Sequence, residues 1–81
     1  MSLVGQRVFT LTIEHRHGSD TTVHATVEGR DETLLGWVDQ WWDTEVRERT
    51  DRPEDDTERI AAYFEYVDDE FYSTNDTVII D

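Results

Sequence analysis

The chain is 81 residues long and carries 20 Asp and Glu against 7 Arg, with no Lys and no Cys, for a formal net charge of −13. A chain of about half the usual domain length has no room for a two-lobed enzyme with an interdomain cleft, and without Cys it has no disulfides. Like-charge repulsion disfavours direct binding to nucleic acid or to an anionic membrane.

The nine aromatics and eight Val supply one modest core, so residues 1–81 read as a single domain. Met1-Ser2-Leu3-Val4-Gly5 leads into Gln6 and Arg7 rather than an apolar run. No stretch approaches the ~20 apolar residues of a membrane span, so a cytoplasmic location is expected.

From Val8 to Ile13, apolar Phe9, Leu11 and Ile13 alternate with Thr10, Thr12 and Glu14, the period-two pattern of a half-buried strand. Thr22 to Glu28 repeats it, with Val23, Ala25 and Val27 expected inward and Thr22, His24 and Thr26 outward. Between them His15 to Asp20, carrying the turn residues Gly18, Ser19 and Asp20, joins the two as an antiparallel hairpin. A water-facing surface of Val8, Thr10, Thr12, Thr22, His24 and Thr26 is expected on the second face of the sheet.

Asp31 is the expected N-cap of a first helix of about four turns. Leu34, Leu35, Val38, Trp41, Trp42 and Val46 form its inner face, with Trp37 at the margin, Asp39 and Asp43 outward and Gly36 weakening its interior. After the polar link from Glu48 to Arg52, Pro53 suits the first turn of a second helix, where Glu54, Asp55 and Asp56 complement the helix dipole. Ile60, Tyr63, Phe64, Val67 and Phe71 mark its inner stripe. Ser73 to Asp76 reads as a turn and Thr77 to Ile80 as a third strand added to the hairpin. The fold class is therefore α+β, order ββααβ, with a small antiparallel sheet carrying two amphipathic helices on one face.

Catalytic signals are few. His15 and His17, with Asp20 or His24, offer too few ligands on a turn for a closed zinc site, so no metal is expected. Ser2, Ser19 and Ser73 lie in no nucleophile elbow, and no Gly-rich phosphate loop or calcium loop is present. Paired carboxylates such as Asp55-Asp56 read as solvated surface. Asn75-Asp76-Thr77 matches a glycosylation acceptor, relevant only to a secreted chain. The expectation is a non-enzyme without cofactors.

Charge carries more information. Residues 1–40 hold 6 acids and 3 Arg, net −3, whereas residues 41–81 hold 14 acids and 4 Arg, net −10. Asp55, Glu58, Glu65 and Asp69 are expected on one outward stripe of the second helix, about 21 Å long. Glu48, Asp51, Glu54, Asp76 and Asp81 extend it, and Tyr66 and Tyr72 are expected to be exposed among Glu65, Asp68, Asp69 and Glu70. The candidate partner-binding residues are Asp39, Asp43, Asp55, Glu58, Glu65, Tyr66, Asp68, Asp69 and Glu70.

In size, acidity and build, carried by Glu54-Asp55-Asp56, Glu58, Glu65 and Asp68-Asp69-Glu70, the chain resembles the small phage-encoded inhibitors that mimic DNA, such as anti-CRISPR and anti-restriction proteins. The resemblance implies a partner that is a basic nucleic-acid-binding protein, sterically blocked in a host cytoplasm. The alternatives are an acidic interaction module of a halophile, where salt screens the repulsion, and an antitoxin-like regulator. An exposed edge strand or Trp37 also leaves a homodimer open.

Overall fold

A computed structural model describes residues 4–80; Ser2 and the tail acid Asp81 lie outside the described residues. Strand β1 (Arg7–His15) pairs antiparallel with β2 (Gly18–His24), and β3 (Phe71–Val78) pairs antiparallel with the other edge of β1, giving the order β2-β1-β3. Gly18, at φ +132°, lets the chain reverse after Arg16 and His17. Helix α1 (Val27–Trp41), a π-helical turn (Trp42–Val46) and helix α2 (Asp56–Tyr66) lie between β2 and β3. The fold is α+β, with a three-stranded antiparallel sheet and two helices. No described helix is long and apolar enough to cross a membrane.

The hairpin register differs from expectation, and Gly18, Ser19 and Asp20, expected in the turn, already lie in β2, which leaves only Arg16 and His17 between the strands. His15 pairs with Gly18, which sets Leu11 opposite Thr22 and Thr10 opposite Val23. Directly paired residues share a face, so Thr22 and His24 stand with buried Leu11, and Val23 turns outward at 65% exposure. The open face is lined by Val8, Thr10, Thr12 and Thr21, with Thr12 Oγ1 2.9 Å from Thr21 Oγ1.

The second strand also ends early. Thr26 Oγ1 accepts the Gly29 N–H at 3.0 Å, so Thr26 rather than Asp31 is the N-cap and Ala25 and Val27 are not in the sheet. Asp31 sits within α1, paired with Arg30. Leu34 and Val38 are buried as the periodicity predicts, and the inward face continues through Trp42 and Val46. It does so across a wider turn, closed by Arg47 N–H on Trp42 O at 3.1 Å. Arg47, at φ 60° and ψ −132°, stops it in a conformation that side chains seldom adopt.

Asp55 caps α2 by accepting the Glu58 N–H at 3.0 Å, which leaves Pro53 two residues ahead of the cap rather than in the first turn. The helix ends at Tyr66, not beyond Phe71: Val67 leaves helical geometry at ψ 79° while its N–H still reaches Tyr63 O. Glu70 N–H then bonds Val67 O at 3.2 Å, and the chain enters β3 at Phe71. Ser73 to Asp76, expected as a turn, lie in that strand, and Ile79 and Ile80 follow it. The helical period continued to Phe71 because an apolar edge residue happens to fall four positions after Val67.

Two buried clusters form the core. Leu11 and Ile13 meet Leu34 between sheet and α1, while Val38, Trp42, Val46, Tyr63 and Val67 pack between the helical segments. Trp37, Ile60 and Phe64 touch both.

Candidate functional site

Ion pairs reach only some of the carboxylates. Arg7, Arg16, Arg30 and Arg52 pair with Asp76, Glu45, Asp31 and Asp39, and Arg59 pairs with both Asp39 and Asp56. Arg47 and Arg49 instead bond backbone carbonyls of the π turn, Arg47 at Thr44 and Arg49 at Val46 and Glu45. Among the described residues no ion pair reaches Glu14, Glu28 or Glu32, nor Asp43, Glu48, Asp51, Glu54, Asp55, Glu58, Glu65, Asp68, Asp69 or Glu70. Ten of these thirteen acids come after residue 40, on the π turn, the link, α2 with its cap and the turn that follows it.

Not every expected partner-binding residue belongs to that surface. Asp55, Glu58 and Glu65 share one side of α2 over about 15 Å; Asp68 and Asp69 lie on the turn after the helix, so the expected continuous stripe is shorter. Asp43 is exposed on the π turn. Asp39 is engaged by two guanidinium groups. Tyr66 is half-buried, with the Arg49 guanidinium 5.6 Å from its ring centre. Tyr72 is exposed as expected, but on β3 rather than a helix, with its ring 4.7 Å from that of Phe64.

Glu70 is the largest departure. Expected on the acidic surface, it is only 6% exposed. Its Oε1 accepts the Trp37 indole N–H at 2.9 Å and the Tyr63 hydroxyl at 2.8 Å. An indole N–H can only donate, so the carboxyl ties α1 and α2 to the start of β3. Burial first, then the hydrogen bond to Glu70 and its charge, push the Tyr63 phenol well above its ordinary range. Sequence inspection sees only the third acid in Asp68-Asp69-Glu70. The one available signal, a Trp and a Tyr each needing an acceptor, does not point to a position.

The same carboxyl borders a hollow of about 320 Å³ between the hairpin tip, α1 and the π turn. The His15 ring is 5.3 Å from that of Trp37, which is 5.8 Å from that of Trp41. Arg16 Nη2 meets Glu45 Oε1 at 3.0 Å, joining the hairpin tip to the π turn. His17 N–H donates to His15 Nδ1, which leaves Nε2 to donate to Asp20 Oδ2 at 3.0 Å. His24 Nε2 lies 2.7 Å from Thr22 Oγ1. Among the described residues, no group of three or more His, Asp and Glu is placed to hold a metal ion.

A second groove, of about 510 Å³, runs between α1, α2 and β3 over Leu35, Ile60, Ala61 and Tyr72, with Asp31, Glu32 and Asp56 along it. No family model, curated protein or solved structure matches the chain.

Proposed function

We propose that the chain is a non-enzymatic inhibitor that presents its acidic surface to the basic nucleic-acid-binding groove of a nuclease or CRISPR-type surveillance complex and blocks it sterically. The observation that supports this reading is the segregation of charge. The Arg residues neutralise Asp31, Asp39, Glu45, Asp56 and Asp76, while the other carboxylates of α2 and its flanks, Asp55, Glu58, Glu65, Asp68 and Asp69, have no ion pair among the described residues. Like charges so crowded cost folding free energy and attract a basic partner from a distance.

Duplex DNA carries one charge per about 1.7 Å of axis, denser than the three carboxylates on the α2 side alone. The imitation therefore depends on Glu54, Asp68, Asp69 and the link acids as well as on the helix.

The test is displacement of duplex DNA from purified nucleases and surveillance complexes at low and high salt. Displacement that weakens with added salt, and that is lost with Glu58→Lys and Glu65→Lys together, supports the reading. Displacement of nothing at low salt by the folded domain sinks it. Unfolding of the domain at low salt assigns the acidity to life in brine instead, the halophile alternative.

A further inference from the structure

From the hollow beneath the hairpin tip we infer a binding site for an organic cation, the ammonium or guanidinium end of a Lys or Arg side chain. As to source this rests on the basic partner proposed above, since such a partner offers these groups; the chemistry of the hollow stands by itself. At about 320 Å³ it is at the small end of ligand pockets, with room for one side chain.

Its walls are aromatic. Trp37 and Trp41 stand 5.8 Å apart at 46° to one another, and His15 packs against Trp37. Trp41 lines the hollow, and among the described residues its buried Nε1 has no hydrogen-bond partner. Electron-rich faces attract cations, Trp most strongly.

Its inner end is a carboxyl with one oxygen to spare. Both hydrogen bonds to Glu70 land on Oε1, and among the described residues Oε2 accepts none. No cation pairs with Glu70 among the described residues. Burying a carboxyl without a counter-charge is costly unless something supplies that charge. The cavity already holds one guanidinium at its mouth: Arg16, more than half exposed, is held there by Glu45. Arg16 leaves Glu70 unserved and is a competitor that an incoming cation displaces or passes.

The probe is choline, titrated into the whole chain while the indole N–H signals of Trp37 and Trp41 are followed by NMR, against the uncharged isostere 3,3-dimethylbutan-1-ol. Saturable shifts at both indoles are expected with choline, with the alcohol at least about tenfold weaker. Glu70→Gln keeps an acceptor for Trp37 and Tyr63 but removes the charge, and weakens choline by about tenfold. Arg16→Gln, at an exposed position, strengthens it, and this comparison holds even if Glu70→Gln does not fold. Equal binding of choline and the alcohol, no shift at either indole, or choline binding unimproved by Arg16→Gln overturns the site. A domain that binds choline here yet displaces DNA from no basic protein keeps the site and loses the function proposed above; the converse loses only the site.

Discussion

Trp37 and Glu70, 33 positions apart, are joined by an indole N–H on a carboxyl oxygen at 2.9 Å, and Tyr63 donates to the same oxygen at 2.8 Å. Removing the acceptor leaves two donors unsatisfied, one of them on fully buried Tyr63. Glu70→Ala is expected to cost about 2–4 kcal/mol, whereas Glu70→Gln, which retains an acceptor, costs less than half as much. Urea denaturation of the two variants checks the ranking.

Alkaline stability follows from the same pair. The folded state holds the Tyr63 proton more tightly than the unfolded chain does. Stability is therefore complete below the unfolded phenol pKa of about 10 and falls as pH rises beyond it, by up to about 1.4 kcal/mol per pH unit. Tyr63→Phe, whatever it costs near neutrality, flattens that decline. Chemical denaturation between pH 8 and pH 11 gives the slopes.

Carboxylates on α2 divide by task. Asp55→Ala removes the bond to Glu58 N–H and is expected to cost about 1 kcal/mol. Glu65→Ala, exposed and without an ion pair among the described residues, changes stability by less than about 0.5 kcal/mol. Thermal unfolding of each variant tests this, and a destabilised Glu65→Ala would show that the outer side of α2 is not free surface.

Two backbone positions invite stabilisation. A Cβ at Gly36 meets nothing within 4 Å, so Gly36→Ala is expected to add about 1 kcal/mol through helix propensity. Arg47 has φ 60°, and Arg47→Gly relieves strain worth about 1 kcal/mol. At Gly29 a Cβ lies 3.2 Å from Thr26 Oγ1, so Gly29→Ala disturbs the N-cap and yields no gain. Melting temperatures of the three variants separate these cases.

What could be read in advance was whatever repeats. Leu11 and Ile13 at period two, and Leu34, Val38, Trp42 and Val46 at helical spacing, announced the sides they bury. Junctions were opaque because single hydrogen bonds and loop lengths decide them. The reversal at Arg16-His17 pairs odd positions with even ones and so exposes Val23. The Thr26 hydroxyl starts a helix where the strand alternation still ran. Phe71 keeps the helical period but lies on the sheet edge at 61% exposure. The acidic surface was largely visible as composition, since Glu58, Glu65, Asp68 and Asp69 are where they were expected to be, outside. Glu70 was not, because its burial depends on Trp37 and Tyr63 arriving from two other segments.

Among the described residues the flanking strands β2 and β3 each present an unpaired backbone row to the surroundings, exposed at every residue but His24, and neither contains a Lys or a Pro. Such rows are templates on which a second molecule extends the sheet, and proteins commonly discourage this with charge or kinks along the strand itself. Here the only charged residues on the two strands are Asp20 and Asp76, so mutual repulsion between molecules of net charge −13 takes over that duty. Near the isoelectric point of about 4.3 the repulsion vanishes while both rows stay open, and the chain then stands closest to sheet-to-sheet polymerisation.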